Sequence, residues 1–211
     1  MDTVYEKSVL IPVDGISLQG ELVIPHAATA IVIFSHGSGS SHRSPRNREV
    51  ARVLRLAGFG TLLFDLLTPA EDTHFERRFA IDLLADRLVT ATKWLCRVPE
   101  ARSCRIGYFG ASTGAAAALK AAAQMPGTRA VVSRGGRPDL AMDVLDEVKA
   151  STLLIVGSFD PHVLTLNREA YDRLTCEKKL EIVDGATHLF EEPGALAQVC
   201  LLAKTWFKNH L

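Results

Sequence analysis

Three things are missing from this sequence of 211 residues: a long apolar run, a surplus of charge of either sign, and any pairing pattern among its few cysteines. Lysine plus arginine and aspartate plus glutamate number 24 each. No basic excess therefore points to nucleic acid or to an anionic membrane surface. No apolar stretch approaches the roughly 20 residues that a membrane-spanning helix needs. The start, Met1 to Lys7, lacks the basic residues and following apolar segment of a secretory signal. These absences predict a soluble, cytoplasmic protein whose partner is a small molecule, and they leave its oligomeric state open. Cys96, Cys104, Cys176 and Cys200 stand apart in apolar surroundings without C-x-x-C spacing, which predicts buried free thiols and no metal site. There is no repeat, no low-complexity tract beyond one alanine run, and no linker, so the length fits one domain spanning 1–211.

What is present is an alternation of two periodicities. Ser8–Ile11 and Ile16–Ile24 read as antiparallel strands around Asp14-Gly15, a favoured hairpin pair. After Pro25, strands alternate with helices, the pattern of parallel βαβ units with helices on both faces of a sheet. The predicted strands are Ala28–Ser35, Gly60–Leu67, Cys104–Phe109, Arg129–Ser133, Thr152–Val156 and Lys179–Val183. Helices are predicted from Ser44-Pro45 to near Gly58, over His74–Val98, Gly114–Gln124, Asp139–Val148, Leu164–Leu174 and Gly194–His210. The fold class is α/β: a mostly parallel twisted sheet between helical layers, with an antiparallel N-terminal hairpin.

Gly110-Ala111-Ser112-Thr113-Gly114 matches G-x-S-x-G. Ordinary composition yields that pentapeptide in roughly one chain in fifteen of this length, so its setting matters more than its letters. A strand runs into it and an alanine-rich helix leaves it, as in a nucleophile elbow, a tight turn that exposes the serine hydroxyl. The alternative is a serine that merely caps a helix, which needs no flanking glycines.

A serine hydroxyl requires a base, and the base an orienting group. In this architecture the chain order is Ser, then Asp or Glu, then His. His188 follows the last strand and is the candidate base. His26 and His210 lie at exposed-looking ends, and His42 and His74 near helix starts are expected to be solvated. Asp160, at the carboxyl end of a strand where such sheets place their sites, is the candidate acid. Asp184 is its rival, and His162 a neighbour of the site. For an oxyanion, the donors expected are the backbone N–H groups of Thr113 and Ser38, the latter in the loop His36–Ser41. That loop lacks a complete phosphate-binding motif. His36 is expected to shape the site and to touch substrate.

The motifs His36-Gly37-Ser38-Gly39-Ser40, Gly110 to Gly114, Gly157-Ser158-Phe159-Asp160 and Gly185-Ala186-Thr187-His188 together resemble those of capless α/β-hydrolases, most closely dienelactone-hydrolase-like esterases. The dienelactone hydrolases proper carry cysteine at the elbow, where this sequence has Ser112. The resemblance implies an open site without a lid, no cofactor and no metal. It also implies cleavage of small soluble esters through an acyl-enzyme formed on Ser112 with His188 and Asp160. Acyl transfer or perhydrolysis by the same residues, and a non-catalytic small-molecule binding protein, are the alternatives. The family binds a substrate carboxylate with arginines. Arg134 and Arg137 could serve that purpose here, although surface salt bridging is the role expected of both.

Overall fold

The computed structural model describes residues 3–211. Its centre is an eight-stranded sheet in the order β1-β2-β4-β3-β5-β6-β7-β8. Strands β1 (Thr3–Val13) and β2 (Ile16–Pro25) form an antiparallel hairpin. Its turn places Asp14 and Gly15 at φ of 42° and 83°, the left-handed pair that a two-residue hairpin requires. β2 also runs antiparallel to β4 (Gly60–Phe64). From β4 through β3 (Ala30–Ser35), β5 (Arg105–Ala111), β6 (Thr128–Arg134), β7 (Ser151–Gly157) and β8 (Lys178–Val183), every pairing is parallel.

Strands β3 to β7 are buried on both faces because both faces are covered. Successive residues alternate between two cores. Ile31, Ile33 and Tyr108 point to one with helices α3 (Ile81–Leu95), α4 (Thr113–Gln124) and α5 (Pro161–Arg173). Val32, Phe34 and Phe109 point to the other with α1 (Pro45–Leu56) and α6 (Ala195–His210). Six of the seven alanines of α4 are buried, so that helix lies close against the middle of the sheet and behind the turn that precedes it. Ser44 caps α1 and Pro45 opens it, as predicted. Among the described residues, no helix is long and apolar enough to cross a membrane.

Several elements differ from the sequence reading. The apolar stripe of 74–98 is not one helix. Thr68 and Glu71 form a capping box on the short α2 (Pro69–Asp72), a 3-10 turn spans Phe75–Phe79, and Ala80 breaks the path before α3. Arg78 clamps the carbonyl of Asp72 through Nε and Nη2 at 2.9 and 2.6 Å, which folds the turn back. Phe75 and Phe79 consequently stack on each other at 4.9 Å with 66% and 40% exposure instead of joining the core. The predicted helix 139–148 is two 3-10 turns, Pro138–Ala141 and Leu145–Glu147. Ala141, Leu145 and Val148 still reach the core, while Asp143 between the turns is tied to Lys120 of α4. Strand β4 stops at Phe64, because the N–H of Asp65 turns to Gln19 and that of Leu66 to His36. Cys200 is buried as expected, Cys104 and Cys176 only partly so, and Cys96 is exposed at the end of α3.

Candidate active site

Ser112 sits between β5 and α4 at φ 51°, ψ −123°, a conformation costly for a side-chain-bearing residue, on the order of 1–3 kcal/mol. Its surroundings hold it there. The N–H of Ser112 donates to the carbonyl of Arg134 at 3.2 Å, and its carbonyl accepts from the N–H of Arg137 at 3.1 Å and of Ala115 at 3.0 Å. The flanking glycines are sterically required. A Cβ on Gly110 would lie 2.4 Å from the Cα of Ala115, and one on Gly114 2.2 Å from the carbonyl oxygen of Ser35.

Two further loops converge on the serine. The one after β7 carries Asp160, whose N–H donates back to Gly157 at 3.1 Å. The one after β8 carries His188. They are laced together by the Phe159 N–H on the Ala186 carbonyl at 2.9 Å and the Gly185 N–H on the Ser158 hydroxyl at 2.8 Å. Ser158 also donates to Asp184 at 3.2 Å, so the rival carboxylate belongs to the turn. The result is a row: Asp160 Oδ2 lies 2.6 Å from His188 Nδ1, and His188 Nε2 lies 3.4 Å from Ser112 Oγ. In a neutral ring whose Nδ1–H faces the carboxylate, Nε2 is left as the acceptor towards the hydroxyl. His162 is exposed on α5 beside Asp160.

The remaining candidates are arranged differently from expectation. His36 does not offer a ring nitrogen to a ligand: Nδ1–H donates to the carbonyl of Gly37 at 3.0 Å and Nε2 accepts the N–H of Leu66 at 3.0 Å. Burial pushes this imidazole below its ordinary value, against the opposing effect of its hydrogen bond to the Gly37 carbonyl. It is a brace for the loop after β3. The N–H of Ser38 donates to the Thr113 hydroxyl at 2.9 Å and is not free to meet an oxyanion. The N–H of Thr113, at the first position of α4, has no intrahelical acceptor. His42 and His210 are not simply solvated. His42 lies 2.9 Å from Asp65, and His210 lies 3.1 Å from Glu177 while donating to the Trp206 carbonyl at 2.7 Å.

The two arginines part company. Arg137 forms the expected salt bridge, a bidentate one with Asp139 at 2.8 and 2.7 Å. Arg134 forms none. It ends β6 with 7% exposure, its Nε and Nη1 are wholly buried without hydrogen-bond partners, and it lines the same cleft as Ser112 and His188. The expectation of surface pairing fails for Arg134 because the register that sets it opposite Ala111 turns it inward at the sheet edge. The cleft, of about 200 Å³, is also bordered by Arg46 and Asn47 of α1, which the sequence reading did not single out. Their one sequence signal is position, directly after the cap Ser44-Pro45 that follows the glycine-rich loop.

The sequence profile of the dienelactone hydrolase family matches residues 18–199. A dienelactone hydrolase from Anabaena variabilis is 53% identical, covers 100% of both chains and superposes with a TM-score of 0.96. Est1E from Butyrivibrio proteoclasticus shares the fold at a TM-score of 0.82 with 16% identity, over 96% of this chain and 98% of its own. Two strains of Mycobacterium tuberculosis hold proteins provisionally named phosphoribosyl transferases that are 54% identical over 207 residues, 98% of this chain and 47% of theirs. The chain thus spans about half the length of those curated relatives. With a family match over most of its length and a full-length relative at 53% identity, this α/β-hydrolase-fold chain belongs to the dienelactone hydrolase family.

Proposed function

We propose that the protein hydrolyses small carboxylic esters through Ser112, His188 and Asp160. The observation that carries the reading is the row itself, with 2.6 Å between Asp160 and His188 and 3.4 Å between His188 and Ser112. His188 takes the Ser112 proton as Oγ attacks the ester carbonyl, and returns it to the departing alcohol. Asp160 fixes the ring tautomer and stabilises the imidazolium. Water, activated by the same His188, then attacks the acyl-serine and releases the acid. The N–H of Thr113 and the positive end of α4 face the developing oxyanion. The serine at the elbow and the open cleft, in which Leu189 and Ala111 are the apolar neighbours, favour short, soluble acyl groups.

The transferase name of the mycobacterial proteins belongs to chains about twice as long, and the part they share with this one is the part that the hydrolase profile matches. That name therefore does not decide the reaction of this segment. The test is a fluorophosphonate probe with the adduct located by mass spectrometry, together with Ser112→Ala on a short-chain chromogenic ester. Labelling of Ser112 that disappears in His188→Ala, and a loss of about three to six orders of magnitude in turnover, are expected. Retained activity in Ser112→Ala overturns the assignment, and an unlabelled protein would be a binding module. Product analysis with a competing alcohol separates hydrolysis from acyl transfer.

A further inference from the structure

The loop that follows β6 supplies no member of the row, yet it meets both the nucleophile and the base. The carbonyl of Arg134 accepts the N–H of Ser112 at 3.2 Å, and the N–H of Arg137 donates to the carbonyl of Ser112 at 3.1 Å. Gly135, at φ 50°, packs against His188: a Cβ on it would lie 3.1 Å from the His188 carbonyl oxygen and 3.5 Å from the ring atom Cε1. A Cβ on Gly136 would lie 2.7 Å from that of Ala115, in the first turn of α4. The loop is thus fitted between the elbow and the base, and a shift in it changes their separation.

A buried side chain holds this loop from the far side. Asn167 stands in α5, two turns after Asp160, in the stripe Val163, Asn167 and Ala170 that faces the interior. Its Nδ2 donates to the carbonyls of Gly136 at 3.0 Å and of Val163 at 2.8 Å, while its Oδ1 is buried without a partner. Two carbonyl acceptors decide which end of the amide is the nitrogen. An orphaned buried oxygen destabilises a fold, so a position that served packing alone would suit an apolar residue, as Val163 and Ala170 do. What the amide achieves instead is a tie between the helix that follows Asp160 and the loop that holds Ser112.

We propose that Asn167 and Gly135 are positioning residues for the reaction at Ser112. Asn167 pins the loop to the helix of the acid, and Gly135 lets the base settle against that loop. Together they set the 2.6 and 3.4 Å separations of the row. Neither is among the residues that line the cleft, so both act through Ser112, His188 and Asp160. The proposal rests on the hydrolase reading for the rate it governs, but not for the geometry.

Asn167→Leu keeps the branched shape and removes the donors. In a variant that still melts cooperatively, kcat on a short-chain chromogenic ester and the rate of fluorophosphonate labelling at Ser112 should each fall roughly 10- to 100-fold, the effect of a displacement on the order of 1 Å at the reacting atoms. KM should change by less than about twofold, because the residue makes no contact that binds substrate. The NMR resonance of the His188 Nδ1 proton, held against Asp160, should shift or broaden in parallel. Glu169→Gln, an exposed change on the same helix, should move none of these. If Asn167→Leu does not fold, Gly135→Ala acts from the other side: its Cβ presses on His188 and should give the same fall in kcat and the same change in the resonance. Wild-type kcat and an unmoved resonance in whichever variant folds overturn the proposal. A raised KM with kcat unchanged also overturns it, since that would be a loss of substrate binding. A wild-type protein that cleaves no ester and takes no label refutes the hydrolase reading. A His188 resonance that still moves in Asn167→Leu then leaves the positioning role standing, whereas an unmoved one removes both.

Discussion

The N–H of Ser38 donates to the hydroxyl of Thr113 at 2.9 Å, so the residue that follows Ser112 engages the donor expected to stabilise charge on the substrate. The bond links the loop after β3 to the first turn of α4 and satisfies an N–H at the cleft wall. It also means that Ser38 can serve an oxyanion only after Thr113 lets go, an exchange of one hydrogen bond for another.

Thr113→Val removes the acceptor and keeps the shape. Leaving a partly buried N–H unsatisfied should lower stability by about 1–2 kcal/mol. The same N–H becomes available to the transition state without a competing bond worth about 1 kcal/mol, and kcat/KM on a short-chain ester should rise about fivefold. Thr113→Ser should behave like the wild type in both respects. A thermal melt and steady-state kinetics on the three proteins check this. A fall in kcat for Thr113→Val would instead place the threonine hydroxyl itself on the oxyanion.

Asp160→Asn preserves the volume of the side chain but presents an amide N–H to His188 Nδ1. The ring then keeps its proton on Nε2, facing Ser112, and cannot accept another. Turnover should fall by about 10⁴-fold with little change in KM, as seen by steady-state kinetics. Asp184→Asn, at the neighbouring turn, should leave turnover near the wild-type value because its partner is Ser158.

Gly114→Ala would place a Cβ 2.2 Å from the carbonyl oxygen of Ser35 and 2.4 Å from that of His36. Both are backbone atoms of β3 and its loop, held by the sheet, so the strain has no flexible side chain to absorb it. A loss of about 3 kcal/mol in chemical denaturation is expected, with the elbow displaced and turnover reduced. Gly127→Ala, where nothing lies within 4 Å of the new Cβ, should be near neutral.

These contrasts show where a sequence speaks and where it is silent. The elbow was readable because its constraint is local: a tight turn between a strand and a buried helix admits only glycine at 110 and 114. The meeting of Ser112, Asp160 and His188 could be anticipated from chain order alone, since parallel strands bring successive loops to one sheet edge. Arg134 could not be read correctly. Whether an arginine is paired depends on which neighbours the fold supplies, and Arg137, three residues on, has Asp139 beside it whereas Arg134 meets the like charge of Arg46. The stripe from Phe75 to Val98 misled for a related reason. Apolar spacing of three and four persists through the 3-10 turn, and only the clamp of Arg78 on Asp72 reveals that the path folds back.

The loop that carries His36's partner Leu66 depends on a carboxylate that titrates far from neutrality. Arg87, buried in α3, holds the carbonyl of Leu66 at 2.7 Å and both oxygens of Glu71 at 2.9 and 2.6 Å. The hydrogen bond from Arg87, aided by the amide and hydroxyl of Thr68, pulls the Glu71 carboxyl from 4.5 down to about 2 against its partial burial. The folded carboxyl thus titrates below the unfolded one. Its contribution, on the order of 3 kcal/mol, is complete above pH 4.5 and is lost as the pH falls from 4.5 through 2. Glu71→Gln should therefore be less stable than the wild type by about 3 kcal/mol at pH 7, because Arg87 is left buried beside a neutral partner. The gap should close as the pH approaches 2, where the wild-type carboxyl is itself protonated. Urea denaturation of both proteins from pH 7 to pH 2.5 measures it. A gap that stays constant across that range would mean that the variant fails through packing and not through the charge, and would remove Glu71 as the anchor of the loop behind His36.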